Sequence, residues 1–165
     1  MLISRVLRQS SLAQDLGDER LARLVTLARE EDYPAEATIF EEGDDLLDLY
    51  VVGKGTVAVM MEARLWKTAS PLKTGVAIVG PGGTFGWSAI VEPHAATLTA
   101  KAREQSTVVT INGEELNTLM DDDPVIGYCV MSALVKLVSI RLDATRRSLM
   151  SGRGLDLERK PVLMR

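Results

Sequence analysis

The sequence predicts a mainly β fold, a sandwich or barrel of short strands with helices on both flanks. Between residues 38 and 111, short segments rich in β-branched residues recur about every ten residues and are divided by glycine turns. Apolar residues follow a helical period before residue 33 and again after residue 113. The length of 165 residues suits one domain with its own core.

The bulk composition excludes several classes of function. A net charge of −4 provides no basic field to attract nucleic acid or an anionic membrane surface. The single cysteine, Cys129, has no intramolecular disulfide partner and fits a reducing compartment. No apolar run approaches the roughly 20 residues that span a bilayer, and residues 1–8 lack the continuous apolar stretch of a signal peptide. We therefore expect a cytoplasmic protein that binds no membrane and, by this chain alone, no nucleic acid.

Residues 1–32 are predicted to form N-terminal helices, a short amphipathic one over 3–15 and a clearer one over 18–30. Asp18 is the expected N-cap of the second helix. Tyr33-Pro34 is expected to end it, because the residue before a proline avoids the helical region. The apolar face of the second helix comprises Leu21, Leu24, Val25 and Ala28.

The β region is predicted to extend from residue 33 to residue 113. Residues 41–44 form a turn after the first strand, and residues 53–55 form a second tight turn. The predicted strands cover residues 38–40, 47–52, 56–61, 73–79, 97–102 and 106–111.

A glycine-rich stretch, residues 80–86, leads into a short apolar segment, residues 87–91. Four glycines in seven residues do not suit a helix or a strand, because each lacks a Cβ and costs backbone entropy. They suit a loop that turns sharply and lies close to another group. If residues 87–91 form a helical turn, its unpaired first amides would suit an anion. A tight barrel turn without a ligand is the alternative.

Residues 114–150 are predicted to form C-terminal helices, the longer over 124–150 with Asp123 as its cap and Pro124 as its first residue. The long helix has two apolar stripes and needs two partners. One is the barrel; the other is most simply the same helix of a second chain, in a twofold homodimer. Packing wholly within the monomer is the alternative. Residues 151–165 form a tail for which disorder is expected. The stripe with coiled-coil spacing, which is the predicted dimer contact, comprises Ile126, Val130, Ala133, Leu137, Ile140 and Ala144. The second stripe comprises Met131, Leu134, Val135, Val138 and Leu142.

Three motifs in this order of elements resemble the cyclic nucleotide-binding domain, in particular the regulatory domain of bacterial catabolite-activator-type transcription regulators. They are residues 39–44 (Ile-Phe-Glu-Glu-Gly-Asp), 49–57 (Leu-Tyr-Val-Val-Gly-Lys-Gly-Thr-Val) and 80–86 (Gly-Pro-Gly-Gly-Thr-Phe-Gly). The resemblance covers about residues 15–150. It implies a jelly-roll-like β-roll, a double-stranded β-helix, with a phosphate-cassette-like segment at residues 80–100. It also implies signalling by movement of the long helix relative to the barrel.

Two ligand-binding positions of that family carry different residues here. The resemblance implies a glutamate that holds the ribose and, on the return strand, an arginine that holds the cyclic phosphate. Trp87 stands at the glutamate position. An ungapped alignment to Ile111 puts Ala96 at the arginine position, whereas an alignment anchored on Pro93 puts His94 there. We therefore predict that cyclic AMP and cyclic GMP do not bind in the family's manner.

The candidate pocket consists of the residues at the cassette positions. Trp87 either stacks on a planar ligand or fills the space that a nucleotide occupies elsewhere, and we favour filling. The amides of Trp87 and Ser88 could still hold an anion. His94, the only histidine, could bind a ligand or metal, but a structural place in a surface loop is favoured. The candidate residues are Gly86, Trp87, Ser88, Ala89, Ala96, Thr97, Leu98 and Thr99.

No catalytic, metal or cofactor site is expected. One histidine is too few for a cupin-type metal centre, and Cys129 lies between apolar residues without a base. Residues 151–165 are too few for the helix-turn-helix domain that follows the long helix in the resembled regulators. The expected function is a dimeric, non-enzymatic sensor domain that responds to an unidentified small ligand or protein partner. The alternative is the ligand-binding effector domain of a transcription regulator, with a cyclic nucleotide or another small molecule as its ligand.

Overall fold

The computed structural model describes residues 2–63 and 72–151, with side chains for residues 2–61 and 77–147. The strands are β1 (Ala28–Tyr33), β2 (Thr38–Phe40), β3 (Asp48–Lys54), β4 (Val57–Ala63), β5 (Leu72–Val79), β6 (Thr84–Phe85), β7 (Thr99–Ala102) and β8 (Ser106–Asn112). The helices are α1 (Leu2–Gln9), α2 (Asp18–Thr26), α3 (Gly113–Asp122) and α4 (Pro124–Ser151), with a short 3-10 helix at Trp87–Ile90. The strands form two four-stranded antiparallel sheets, in the orders β1–β8–β3–β6 and β2–β7–β4–β5.

The first sheet is buried on both faces, because its central strands alternate between two cores. In β3, Leu49 and Val51 face the helices, while Tyr50 and Val52 face the second sheet. Val51 pairs with Val109 of β8, which sets the register of these two strands. The space between the two sheets therefore forms an inner core, and the candidate pocket opens into it.

The helices cover the outer face of the first sheet. Each contributes a fully buried side chain to this second core: Leu7 from α1, Leu24 from α2, Leu116 from α3 and Ile126 from α4. Burial of one such side chain stabilises the fold by about 1.5–3 kcal/mol. The mainly β fold with flanking helices and a long C-terminal helix is thus confirmed.

Six strands were predicted, and all six are present with ends shifted by at most two residues. The helix predicted over 18–30 is wrong beyond Thr26, because Ala28–Tyr33 forms β1. This strand pairs with β8 along its whole length, from Ala28 opposite Ile111 onward. The pairing satisfies backbone groups that the edge of β8 would otherwise expose, and this tertiary gain outweighs the local helical pattern.

Two further N-terminal predictions are corrected. The helix predicted over 3–15 ends at Gln9, and the hydroxyl of Ser10 donates to the carbonyl of Leu7 at 2.7 Å. The N-cap of α2 is Gly17, because Asp18 is already the first helical residue. The carboxylate of Asp18 instead accepts a hydrogen bond from Arg8 at 2.7 Å.

The start of α4 follows the prediction, with Asp123 as cap and Pro124 as first residue. The Asp123 carboxylate accepts from the amide of Val125 at 3.2 Å. It also accepts from Arg20 and Arg23 of α2, each at 3.0 Å. Desolvation opposes ionisation of this carboxyl, but the hydrogen bond from Arg20 and those from the capped amides together hold its pKa below the usual range. These contacts attach α4 to α2.

Burial divides each of the two α4 stripes between the core and solvent, and Ile140 and Ala144 of the predicted dimer stripe remain exposed. Ile126, Val130 and Ala133 of the predicted dimer stripe are buried against the chain's own body, and Leu137 is half-buried there. The rotation of the helix is set by its contacts with the core, which the apolar period alone does not specify. The second stripe faces solvent apart from the buried Leu134. Its exposed members are Met131, Val135, Val138 and Leu142.

By length and composition alone, the segment Pro124–Arg147 of α4 could cross a membrane. This corrects the expectation that no apolar run approaches the necessary length. The same helix, however, buries Ile126 and Val130 in the core beside the first sheet. A helix that packs a core passes the same test of length and composition.

Candidate functional site

The candidate site begins at Gly86, where the chain leaves β6 and enters the 3-10 helix. Gly86 has φ +77°, and a Cβ at this position would lie 2.7 Å from Cδ2 of Tyr50. Only glycine combines this left-handed backbone with such close packing. The amide of Ala89 donates to the carbonyl of Gly86 at 3.1 Å, which closes the first turn of the predicted helical segment.

A cavity of only about 20 Å³ lies between this turn and the return segment that precedes β7. Phe40 and Phe85 line it, with ring centroids 6.1 Å apart, and Tyr50 stacks on Phe85 at 5.0 Å. The volume is close to the space for one water molecule and far below that of a nucleotide. The inner core is therefore filled by side chains at the position of the candidate ligand.

Six of the eight candidate residues line this cavity. They are Gly86, Trp87, Ser88, Ala96, Thr97 and Leu98. The other two make structural contacts. The carbonyl of Ala89 packs against Gly113, and the hydroxyl of Thr99 accepts a hydrogen bond from the amide of Glu42 at 3.0 Å.

Trp87 forms one wall of the small cavity. Its ring is half-buried and packs at the margin of the helix-side core. The guanidinium of Arg141, from α4, lies over the ring at 5.2 Å from its centroid. This cation–π contact connects the cassette-like segment to the long helix.

Arg141 is not among the candidate residues predicted from the sequence. It is half-buried, and this burial lowers the pKa of its guanidinium. A signal was present, because Arg141 follows Leu137 by four residues and precedes Ala144 by three, which places a charged side chain beside the apolar stripe.

The two residues that the alternative alignments place at the arginine position lie beside different cavities. Ala96 lines the small cavity, whereas His94 borders a different cavity beside Asp45 and Asn112. His94 has φ +59°, and its Nδ1 lies 3.0 Å from the carbonyl oxygen of Ala89. Its carbonyl accepts from the amide of Leu46 at 2.7 Å. These contacts fix the position of His94 in the loop.

Among the residues with described side chains, no lysine or arginine lines the small cavity. Lys101 follows the return segment, but its ammonium donates to the carboxylate of Glu36 at 2.6 Å. That pair borders another cavity, which Ala58 and Met60 of the second sheet also line. Within the described part of the chain, no group of three or more histidine, cysteine or acidic side chains could hold a metal ion.

The family model for the cyclic nucleotide-binding domain matches residues 30–123. This match covers more than half of the chain, and the two-sheet roll with its flanking helices agrees with it. The chain belongs to the cyclic nucleotide-binding domain family, and the resemblance stated from the sequence is confirmed. No curated protein matches the chain significantly.

Solved structures of related proteins share the fold. A proposed cyclic nucleotide-binding protein of Geobacter metallireducens GS-15 is 26% identical, with a TM-score of 0.70 over 86% of this chain and 99% of that one. The N-terminal domain of a transcriptional regulator of Streptomyces coelicolor A3(2) is 25% identical, with a TM-score of 0.67 over 84% and 96%. The catabolite activator protein of Thermus thermophilus, at 22% identity and a TM-score of 0.71 over 86% and 63%, shares the fold alone.

Proposed function

We propose that this chain is a non-enzymatic regulatory domain of the cyclic nucleotide-binding fold that does not bind cyclic AMP or cyclic GMP in the family's usual manner. One observation carries the proposal: the cavity at the cassette has a volume of about 20 Å³ and no cationic side chain among its described lining residues. The sensing of another ligand or of a protein partner is the function that remains for such a domain.

The free energy of the missing contacts is large enough to determine the affinity for a cyclic nucleotide. A charge-assisted hydrogen bond to a phosphate contributes about 1.5–3 kcal/mol, so its loss weakens binding roughly ten- to hundredfold. A phosphate buried without a cation carries a further desolvation cost. Trp87 also stands where the resembled cassette has its ribose-binding glutamate. A nucleotide would have to displace packed aromatic rings before making any of these contacts.

We also propose that the domain is a homodimer formed through α4. The stripe of Met131, Val135, Val138 and Leu142 has spacings of four, three and four residues and is exposed along one face of the helix. It continues into an apolar cavity of about 310 Å³ that Trp87 and Ile90 also line. A second copy of α4 would cover this face and bring the partner helix close to the cassette-like segment.

The setting proposed for this domain is the cytoplasm, where the dimer would act without contact to a membrane and without binding nucleic acid by itself. A second candidate function is the effector domain of a transcription regulator. The similarity to the N-terminal domain of the Streptomyces coelicolor regulator favours it, at 25% identity. In both cases the ligand acts through α4.

The decisive experiment is isothermal titration of the nucleotide-stripped protein with cyclic AMP and cyclic GMP. Trp87 fluorescence is followed in parallel on a Trp66→Phe background, since these are the two tryptophans of the chain. We expect no heat and no spectral change up to about 1 mM nucleotide, which corresponds to less than about 4 kcal/mol of binding free energy.

The Trp87→Phe variant is the control that assigns any fluorescence change to the cassette. Saturable binding at micromolar or lower concentration would overturn the proposal, because it would mean that backbone amides hold the phosphate and that the inner core opens to admit it.

A further inference from the structure

A second, larger cavity lies between the glycine-rich turn and α4. Its volume is about 410 Å³, within the range of small-molecule sites in proteins. Apolar side chains form most of its wall, from β5, the turn and the long helix. They include Val79, Pro81, Leu137 and Ile140. The cavity shares no lining residue with the small cavity at the cassette.

Two polar side chains in this wall have no hydrogen-bond partner among the described residues. The hydroxyl oxygen of Thr84 is buried in a residue that is only 2% exposed, and the Nη1 atom of Arg141 is buried as well. Both residues line the same cavity. Buried polar groups in folded proteins almost always have a partner, so two unpartnered donors on one cavity point to a missing acceptor.

The position of the Arg141 guanidinium is fixed from one side. It lies over the Trp87 ring at 5.2 Å from the centroid, which holds the cation by a contact that uses none of its N–H groups. The described residues provide no carboxylate to neutralise it, since its one observed contact is with the indole ring. The charge is therefore available to an incoming anion.

We propose that this cavity binds a small monocarboxylate with an apolar body. The carboxylate would accept hydrogen bonds from Arg141 and from the hydroxyl of Thr84, and the body would pack against the apolar wall. One cation balances one negative charge, which favours a carboxylate over a phosphate dianion. Arg141 belongs to α4 and also contacts Trp87, so a bound carboxylate would act on both α4 and the cassette-like segment. The proposal deepens the proposed regulatory function, since it supplies the class of ligand that the domain senses.

The test is titration of the Trp66→Phe protein with 4-phenylbutyrate, octanoate and acetate, followed by Trp87 fluorescence and isothermal calorimetry. The uncharged 4-phenylbutanol and inorganic phosphate serve as comparison ligands. We expect saturable binding of the two larger carboxylates below about 1 mM and at least tenfold weaker binding of acetate, phenylbutanol and phosphate.

Variants locate the site. Arg141→Met keeps the length of the side chain and removes its charge, and Thr84→Val keeps its shape and removes its hydroxyl. Each substitution should weaken the affinity for 4-phenylbutyrate at least about fivefold. Arg146→Met, which changes an exposed side chain, should leave that affinity unchanged. Without ligand, Arg141→Met and Thr84→Val should melt at or above the wild-type temperature, because each removes an unpartnered buried group.

Three results would overturn the proposal: no carboxylate binding below about 5 mM, equal binding of phenylbutyrate and phenylbutanol, or tighter binding of phosphate. Marked destabilisation of both variants without ligand would contradict it too, because it would assign the two side chains a structural role. Failure of this test leaves the cyclic nucleotide result untouched. Conversely, cyclic nucleotide binding that persists in the Arg141→Met variant would overturn the proposed function and leave the proposed carboxylate site unaffected.

Discussion

Gly113, the first residue of α3, lies directly against the backbone of the 3-10 helix. A Cβ added there would be 2.2 Å from the carbonyl oxygen of Ala89 and 2.8 Å from its carbonyl carbon. These are backbone atoms that cannot rotate away. Close approach at this one residue therefore sets how near the cassette-like segment sits to the C-terminal helices.

The Gly113→Ala variant should lower the free energy of unfolding by about 2–3 kcal/mol, because the added methyl group forces the two segments apart. Chemical denaturation followed by circular dichroism measures this change. Gly80→Ala is the matched control, since nothing lies within 4 Å of the position that its added methyl group would take, and its effect should stay within about 0.5 kcal/mol. Equal stability of the two variants would refute the argument from close packing.

Asp123 provides a residue-scale prediction about pH. Its pKa is lowered in the folded state, so its stabilising effect is complete above the unfolded value of about 3.9 and is lost as the pH falls through the lower folded value. Asp123→Asn keeps a capping oxygen and removes the charge that pairs with Arg20 and Arg23. The variant should be less stable than the wild type at pH 7, and the difference should disappear near pH 2.

Melting temperatures measured across that pH range test the prediction. Asp18→Asn is the control, because its pair with Arg8 is solvent-exposed and such pairs contribute little. A difference at Asp123 that persists unchanged to pH 2 would show that the contribution does not come from its charge.

At the scale of elements, α4 is the helix through which both the proposed dimer and the proposed ligand response would act. The N-terminal half of its first apolar stripe packs against its own chain, whereas four residues of its second stripe are exposed. A folded protein rarely leaves such a long apolar stripe uncovered. The same helix also carries Arg141 to the cassette-like segment, so that the proposed dimer contact and the proposed ligand site would lie on one element.

The double variant Val135→Glu with Val138→Glu should convert the proposed dimer to a monomer. Two unpaired charges in an apolar interface cost several kcal/mol, enough to weaken association at least about a hundredfold. The melting temperature of the monomer should change little, because both side chains are exposed in the single chain. Size-exclusion chromatography with light scattering reports the mass.

Lys136→Glu changes charge on the polar side of the same helix and should leave the dimer intact. A wild-type protein that is monomeric at all concentrations would contradict the interface, as would a double variant that remains dimeric.

At the scale of the whole molecule, the matched family region of residues 30–123 does not contain all of the structure that its first sheet needs. The outer face of that sheet is covered by α1, α2 and α4, which supply buried residues before and after the matched region. The roll and the helices therefore share one core and are expected to unfold together.

A shortened chain that begins at residue 28 should fail to form a cooperative native state. It lacks Leu7, Leu12, Leu21 and Leu24, and loss of each large core side chain costs about 2–5 kcal/mol against a total stability of about 5–15 kcal/mol. Thermal denaturation and near-ultraviolet circular dichroism measure this. A chain that begins at residue 2 is the control, and a sharp transition of the shortened chain would show that the roll is self-sufficient.

The sequence alone was enough to predict the β-roll, six of its strands and the cap at Asp123. These follow from local signals: turn glycines, alternation of apolar residues, and the residue type at a motif position. The role of the altered cassette in ligand selection stays a prediction until binding is measured.

Other features depended on contacts between residues far apart in the chain. Ala28–Tyr33 is a strand because β8 offers it a partner, although its own pattern continues a helix. The two stripes of α4 are equally apolar in sequence, and only the rotation of the docked helix decides that Val130 is buried and Val135 is exposed. The contact of Arg141 with Trp87 and its shared cavity with Thr84 join residues more than 50 positions apart. No local periodicity of the sequence encodes a contact between residues so far apart, so only the tertiary structure determines these contacts.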